Sequence, residues 1–288
     1  MPNPIINRRT VLAAIPLLVA GAARAEDVDA ALEAHERAIG GRIGVFARNT
    51  VTGATIAWRA DERFAMCSTF KASLAACVLA RVDRGEDALD RVVTYGEADL
   101  LDYAPIAKAN LAKGELTVAE ACSGAVELSD NTCANLLLAR IGGPSALTAF
   151  WRATGDEVTR LDHNEPVLNR TQPPNPEDTT TPAAMAGSLR RFVLGDVLSA
   201  ASRAQFTTWM RNCKTGLDLL RAGLPGGWTV GDKTGNNGKD ALGDIAVAWP
   251  RPDRPIVICA YTQGGSAEAA RLHSLFADIG RIIGQRLA

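Results

Sequence analysis

The chain has 288 residues, of which 47% are hydrophobic and 22% are charged, and its formal net charge is -1. This composition is that of an ordinary globular protein with enough apolar surface for a sizeable core, so it argues against a disordered chain. The near-neutral charge, without a basic patch interleaved with aromatic residues, argues against a nucleic-acid-binding protein. The length suits one large domain or two interleaved lobes.

Residues 1–25 have the features of an export signal. Arg8 and Arg9 precede an apolar run over 11–23, and Ala23-Arg24-Ala25 forms a small-x-small cleavage site. The arginine pair favours the twin-arginine type over an ordinary signal. Because the apolar run is too short to cross a bilayer, we expect the mature chain, 26–288, to be secreted to the periplasm without a membrane contact.

The next elements in chain order are a helix over 27–38 and a hairpin of two strands, 42–49 and 54–58, joined by a turn that ends at Gly53. From about Phe64 to Arg211 the apolar spacing is helical. The helical segments with the strongest pattern cover 116–126, 131–140 and 182–194. Strand-like runs return near the C-terminus, over 228–233, 242–249 and 255–262, and a last helix covers 267–286.

This order of elements predicts an α/β protein of the α+β type. Strands from both chain ends form one antiparallel five-stranded sheet with flanking helices, and an all-helical lobe is inserted between them. We expect the sheet lobe to comprise about 26–60 and 212–288, and the helical lobe about 61–211. The cleft between the two lobes is the natural place for an active site.

Six cysteines at irregular spacings lack any C-x-x-C pair, so no metal cluster is predicted. They are Cys67, Cys77, Cys122, Cys133, Cys213 and Cys259. Single cysteines in apolar surroundings are usually buried small side chains. The cysteine spacing therefore predicts no metal site, and we also expect no cofactor.

Ser68 and Lys71 place a hydroxyl and an amine three residues apart at a helix start. Residues at i and i+3 share a helix face, so the amine can reach the hydroxyl oxygen. An amine whose charge is disfavoured can take the serine proton and so activate a nucleophile. An S-x-x-K pair is common by chance, so the interpretation depends on the motifs that follow.

The second motif is Ser129-Asp130-Asn131, which follows an apolar helical run. Its hydroxyl and carboxamide can face the cleft, although Ser, Asp and Asn are also the preferred residues at helix N-caps. The third motif combines Glu165 with Asn169 in a proline-rich segment, where a carboxylate and an amide four residues apart can hold one water. Long irregular loops in compact domains are usually functional.

The fourth motif is Lys233-Thr234-Gly235 at the end of a predicted strand. A cation and a hydroxyl can bind a substrate carboxylate there. The glycine would let a ligand lie along the strand edge. By itself such a tripeptide is most often a turn.

The four motifs in this order resemble those of the class A serine β-lactamases. The resemblance extends over 26–288 and includes Tyr103, which is similar to the aromatic gate of the family. It implies a monomeric enzyme that takes small β-lactam substrates and confers antibiotic resistance.

The resemblance also implies a role for each motif residue. Ser68 would attack the β-lactam carbonyl, with Lys71 and a water bound to Glu165 as rival candidates for its base. Ser129 would pass a proton to the departing ring nitrogen, and Glu165 with Asn169 would direct the water that hydrolyses the acyl-enzyme. The expected substrate-binding residues are Tyr103, Asn131, Asn169, Lys233, Thr234, Gly235 and Asn236, of which Asn236 would share the oxyanion hole with Ser68 through backbone N–H groups.

Three features depart from the family pattern, and the first two are single residues. His163 occupies the place of an arginine that usually pairs with an aspartate, here Asp178. Leu242 occupies the place of an arginine that binds the substrate carboxylate, and Lys239, Arg271 and His273 are its possible substitutes.

The third departure concerns cysteines. Cys67 precedes the nucleophile, but Asn237 stands where a disulfide partner would be. Cys122 matches a second family disulfide, but Cys77 is two residues beyond the usual partner, and on a helix this turns the side chain by roughly 200°, which disfavours the bridge.

Two other functions remain open from the motifs. A D-alanyl-D-alanine carboxypeptidase shares the nucleophile, the second serine and the K-T-G triplet, and a β-lactam-sensing module is acylated without turnover. Both classes would be expected to lack Glu165, and a sensor would be expected to carry a membrane span. Glu165 therefore favours the hydrolase.

Overall fold

The computed structural model describes the backbone from Ile15 to Ala288 and the side chains from Asp27 onward. The predicted export signal therefore lies outside the described residues, except for the backbone of 15–25. The first helix, α1, extends over Ile15–Ile39 and begins well before the expected start at Asp27. In the described part of the chain, no helix is both long enough and apolar enough to cross a membrane.

A single antiparallel sheet of five strands is built from both ends of the chain, as the sequence predicts. The strands are β1 (Arg42–Asn49), β2 (Thr55–Trp58), β7 (Thr229–Asn236), β8 (Ala241–Trp249) and β9 (Ile256–Gln263). Their order across the sheet is β2-β1-β9-β8-β7. The N-terminal hairpin pairs with the last strand, and β7, which contains the K-T-G triplet, is the edge strand facing the helical region.

Helices dominate the segment between β2 and β7. They are α2 (Phe70–Asp83), α3 (Pro105–Ala109), α4 (Val118–Glu127), α5 (Asn131–Ile141), α6 (Pro144–Ala153), α7 (Pro182–Leu194), α8 (Ala200–Arg211) and α9 (Leu220–Gly223). Two short strand pairs lie among them, β3 (Phe64–Ala65) with β6 (Thr179–Thr180) and β4 (Val92–Thr94) with β5 (Glu115–Thr117). The chain ends in α10 (Ala269–Leu287).

Helix α2 lies at the centre of the helical region. Eleven of its residues, Phe70 to Ala80, are buried. A helix that is apolar on all sides is stable only inside a core, and here it packs against α4, α5 and α8. The N-terminus of α2 is thereby fixed against β7 at the boundary between sheet and helices. This position brings the S-x-x-K pair to the edge of the sheet.

Helix α7 begins where the sequence predicts it. The side-chain oxygen of Thr181 accepts a hydrogen bond from Ala184 N at 3.2 Å, and Pro182 occupies the first helical position. A threonine cap satisfies a backbone donor that the first turn leaves free, and proline at N1 sacrifices no helical hydrogen bond. The helix therefore starts directly after the proline-rich loop and fixes its end.

All six cysteines are buried and form no disulfide. The Cys77–Cys122 bridge implied by the resemblance is therefore not formed, in agreement with the helical offset that disfavours it. Burial raises the pKa of Cys77 to about 11. These thiols act as small apolar side chains in the core.

Candidate active site

Ser68 lies in a short 3-10 turn, Cys67–Thr69, that leads directly into α2. A Cβ at position 235 would lie 2.6 Å from Ser68 N and 2.7 Å from Thr69 N. The backbone of β7 therefore passes the nucleophile closely only because this residue is glycine. We expected Gly235 to make room for a ligand, but the contact shows that it makes room for the start of α2.

Lys71 is fully buried one turn below the serine. Its Nζ donates to Ser129 O at 2.9 Å and to Asn131 Oδ1, and it lies 3.0 Å from Glu165 Oε1. Burial lowers the pKa of this amine, and the charge of Glu165 opposes the effect.

The serine hydroxyl is held by Glu165. Ser68 Oγ donates to Glu165 Oε1 at 3.0 Å. The carboxylate oxygen that receives this hydrogen bond is the same one that Lys71 contacts. Nucleophile, amine and carboxylate thus form one contiguous group.

The Ser129-Asp130-Asn131 motif serves both as a helix cap and as part of the site. Asp130 caps α5 by accepting from Cys133 N at 2.8 Å, and its other oxygen accepts from Ile106 N at 2.8 Å. Ser129 Oγ accepts a hydrogen bond from Lys233 Nζ at 3.0 Å. The two interpretations of this motif therefore do not compete, because the cap fixes the direction in which the neighbouring side chains point.

The segment around Glu165 is attached to α5 by an asparagine that the sequence analysis missed. Asn135 Nδ2 donates to Glu165 O at 2.9 Å, and Asn135 Oδ1 accepts from Glu165 N at 3.0 Å. Asn169 Nδ2 donates to Glu165 Oε2 at 2.6 Å. Asn135 follows Asn131 by one helical turn, so two amides on the same face of α5 were the signal that could have revealed it.

Lys233 is fully buried and joins the K-T-G strand to the second motif. Its Nζ donates to Thr234 O at 2.6 Å as well as to Ser129. Burial and the nearby Lys71 lower the pKa of Lys233 to about 8. Thr234 Oγ1 lies 2.5 Å from Thr215 Oγ1, and Thr215 is a second site residue that the motifs did not indicate.

These side chains surround an open cleft of about 510 Å³. The predicted residues that line it are Ser68, Tyr103, Ser129, Asn131, Asn169, Thr234, Gly235 and Asn236. Lys71, Glu165 and Lys233 are buried next to the residues that line it. Tyr103, of which 52% is exposed, lies at the mouth. The structure therefore brings all eleven predicted site residues together, and adds Thr215, Leu219, Leu242 and His273 to the wall.

His163 and Asp178 close the base of the loop that contains Glu165, as we expected. His163 Nδ1 lies 2.7 Å from Asp178 Oδ2, and the other carboxylate oxygen accepts from the backbone N–H groups of Asp162 and His163. The hydrogen bond to Asp178 raises the pKa of His163.

We expect this pairing to make the loop sensitive to pH. A raised folded-state pKa stabilises the loop fully below the unfolded value of about 6.5, and the contribution is lost as pH rises through the folded value. Hydrogen exchange over 163–178 should therefore be faster at pH 8 than at pH 6, after correction for intrinsic rates. The His163→Arg variant should remove this difference, because arginine stays charged. Equal protection at both pH values in the parent would contradict the prediction.

The three possible substitutes for the missing arginine lie in different places. Arg271 is exposed and donates to Ala38 O at 2.7 Å, so its guanidinium is engaged elsewhere. His273 lines the cleft beside the buried Leu242. Lys239 lines a neighbouring cavity that also contains His273. His273 is therefore the candidate cation nearest to the K-T-G end of the cleft.

Comparisons of the sequence with known proteins find matches over nearly the whole chain. A model of the "Beta-lactamase enzyme family" matches residues 24–287. The chain is 44% identical to β-lactamase Toho-1 of Escherichia coli, over 95% of each sequence. It is 47% identical to β-lactamase L2 of Stenotrophomonas maltophilia, over 93% of this chain and 92% of that one.

Solved structures of class A β-lactamases are also similar to this chain. The class A β-lactamase of the last common ancestor of Gram-negative bacteria (GNCA4) is 50% identical and superposes with a TM-score of 0.88, over 92% of this chain and all of that one. A putative class A β-lactamase from Rhodopseudomonas palustris is 47% identical with a TM-score of 0.87, over 90% and 99% of the two chains.

Proposed function

Because this chain belongs to the class A β-lactamases, an enzyme family that hydrolyses β-lactams, we propose that its reaction proceeds through an acyl-enzyme on Ser68 that a Glu165-directed water hydrolyses. The observation that carries this proposal is the contact of Glu165 Oε1 with both Ser68 Oγ and Lys71 Nζ, each at 3.0 Å. A carboxylate in this position can take a proton from the serine or from a water that replaces the contact.

In the acylation step, Ser68 Oγ attacks the β-lactam carbonyl carbon and its proton passes to Glu165 or Lys71. Backbone N–H groups of Ser68 and Asn236 would stabilise the oxyanion, each contributing about 3 kcal/mol. The C–N bond then breaks, the ring nitrogen receives a proton from Ser129, and Ser129 is reprotonated with the proton that Ser68 released. The hydrogen bond between Lys233 and Ser129 supports this route, because a cation beside the hydroxyl favours release of its proton.

In the deacylation step, Glu165 would take a proton from a water as that water attacks the ester on Ser68. The ester bond breaks, the ring-opened acid leaves, and the serine regains its proton. Asn169 and Asn135 support this role, since one orients the carboxylate and the other fixes its backbone. A general base must be held within hydrogen-bond reach of its water to contribute its full effect.

At the other end of the cleft, Lys233 and Thr234 would bind the substrate carboxylate, while Asn131 and Asn169 would contact the acylamino side chain. Tyr103 would close the mouth over the bound substrate. Thr215 supports the assignment of the carboxylate end, because its hydroxyl adjoins that of Thr234. The test of the whole proposal is steady-state hydrolysis of a penicillin, an oxyimino cephalosporin, a monobactam and a carbapenem by the purified mature protein.

The absence of the carboxylate-binding arginine leads to a separate prediction. We expect Leu242→Arg to lower KM for benzylpenicillin by about tenfold, since one charge-assisted hydrogen bond contributes roughly 1.5 to 3 kcal/mol. Arg271→Ala is the matched control and should leave KM unchanged, because Arg271 binds Ala38. If Leu242→Arg has no effect while His273→Ala raises KM severalfold, His273 already supplies the missing cation.

The loop that contains Glu165 favours a hydrolase over a D-alanyl-D-alanine carboxypeptidase or a β-lactam-sensing module. A carboxypeptidase or a sensor would not need a carboxylate fixed beside the nucleophile by Asn135 and Asn169.

We further propose that the mature enzyme, 26–288, works as a monomer of two lobes without a cofactor, and that the N-terminal signal directs it to the periplasm. Gel filtration and cell fractionation with residues 1–25 present or deleted test these points.

A further inference from the structure

A small side cavity continues the catalytic cleft toward the C-terminal helix. It lies between the turn joining β7 to β8 and the segment that begins α10, and its volume is about 180 Å³. Asn236, Leu242 and His273 line both the cleft and this cavity. Since sites for whole ligands usually measure roughly 300 to 1,000 Å³, a cavity of this size suits a fragment of a molecule whose main body occupies the cleft.

The side cavity has apolar walls and two donors at its edge. Ala241, Leu242, Ala267 and Leu272 supply apolar surface. The ammonium group of Lys239 and the imidazole of His273 make no side-chain hydrogen bond or salt bridge within residues 27–288, so both are free to bind a ligand. This combination suits a flat, compact group with ring atoms that accept hydrogen bonds.

The charges around the cavity favour a neutral group of this kind. Asp240 also lines it, but its Oδ1 accepts from Asn237 Nδ2 at 2.8 Å. The negative charge of Asp240 offsets the positive charge of Lys239. A ligand with no net charge can therefore accept hydrogen bonds from Lys239 and His273 without repulsion from the aspartate.

The position of the side cavity indicates which part of a substrate would reach it. Leu242 and His273 adjoin the end of the cleft where Lys233 and Thr234 lie, which is the end proposed for the substrate carboxylate. In a cephalosporin, the ring carbon next to the one that bears the carboxylate is position 3. A substituent on that carbon projects beside the carboxylate, whereas the corresponding carbon of a penicillin bears only two methyl groups.

We propose that the side cavity binds the 3-position substituent of cephalosporins and selects substrates in which this substituent is a neutral, nitrogen-containing heteroaryl group. The inference rests on the proposed function, because it places the carboxylate at Lys233. The absence of an arginine at this position supports the inference. Leu242 lines both the cleft and the side cavity, and its side chain places no charge where the two meet.

The test compares three substrates on the intact mature enzyme. Two cephalosporins share one acylamino group and differ only at position 3, where one has a methyl group and the other a 2-(1-methyltetrazolyl)ethyl group, whose carbon linkage is not expelled when the β-lactam ring opens. The third substrate is benzylpenicillin. We expect kcat/KM to be about tenfold higher for the heteroaryl compound than for the methyl compound, which is within the range of a contact in an apolar pocket.

Two variants and one matched control then show whether the effect arises in the side cavity. Ala267→Phe fills the cavity and should remove the preference while leaving the methyl cephalosporin and benzylpenicillin unchanged. Ala270→Phe is the matched control, because residue 270 is exposed and does not line the cavity. Lys239→Ala changes an exposed residue and should reduce the preference severalfold, so the proposal stays testable if Ala267→Phe fails to fold.

The outcomes separate this inference from the proposed function. Equal kcat/KM for the two cephalosporins in the parent, or an equal loss for all three substrates in Ala267→Phe, overturns the side-cavity proposal even when benzylpenicillin is hydrolysed. If the enzyme hydrolyses none of the three substrates, the proposed function is overturned instead.

Discussion

Glu165→Gln is expected to convert this enzyme into one that is acylated but does not turn over. The amide cannot accept a proton from the hydrolytic water, so kcat for benzylpenicillin should fall by about 1,000-fold, in the range of a lost general base. Mass spectrometry after mixing with the substrate should show the mass of the penicilloyl group persisting on Ser68. Glutamine has nearly the same shape as glutamate and can still accept from Asn169, so the loop should remain folded.

Two controls make this result interpretable. Ser68→Ala should show no added mass, and an adduct on another residue would relocate the nucleophile. Asn169→Ala removes one hydrogen bond to Glu165 but keeps the base, so it should slow deacylation much less than Glu165→Gln. Unimpaired turnover in Glu165→Gln would rule out the deacylation role of this carboxylate.

The second large effect concerns the pH dependence of substrate capture. Lys233 must carry its proton to bind the substrate carboxylate, and burial lowers its pKa to about 8. The free enzyme should therefore lose kcat/KM above pH 8, by about tenfold for each further pH unit, since kcat/KM reports the groups of the free enzyme. Below pH 8 the amine is charged, so this group causes no loss there.

Two measurements assign that loss to Lys233. Lys233→Arg should retain a flat profile above pH 8, because a guanidinium stays protonated. The methyl ester of benzylpenicillin has no carboxylate to bind, so the parent should hydrolyse it slowly and without the decline above pH 8. The same decline with the ester would show that another group is responsible, and Lys71, whose pKa burial also lowers, is then the candidate.

Several features of the site that the motifs did not reveal depend on contacts between distant segments. Asn135 binds a loop thirty residues away, and its spacing of one turn from Asn131 shows which face of α5 it occupies but not which segment it meets. Thr215 belongs to the site only because its hydroxyl adjoins that of Thr234, nineteen residues further along the chain. Such pairings depend on how helices dock against the sheet, and this docking follows from packing rather than from local propensity.

Local sequence patterns were enough to predict the sheet strands, the main helices and the four motifs. These features have short-range causes: alternation or helical spacing of apolar residues, caps such as Thr181, and motif spacing within one turn of helix. The resemblance to the family, rather than a local pattern, implied that His163 pairs with Asp178.

Only the folded chain shows why Gly235 is glycine, which of the candidate cations lies in the cleft, and that the cysteines form no disulfide. Each of these depends on a distance between segments far apart in the chain. Gly235 is required by the approach of α2 to β7. Arg271 is turned to Ala38 while His273 reaches the cleft, although both lie within one turn of the same helix. Only packing of the whole chain fixes such distances, because side-chain direction within an element determines which neighbour each residue meets.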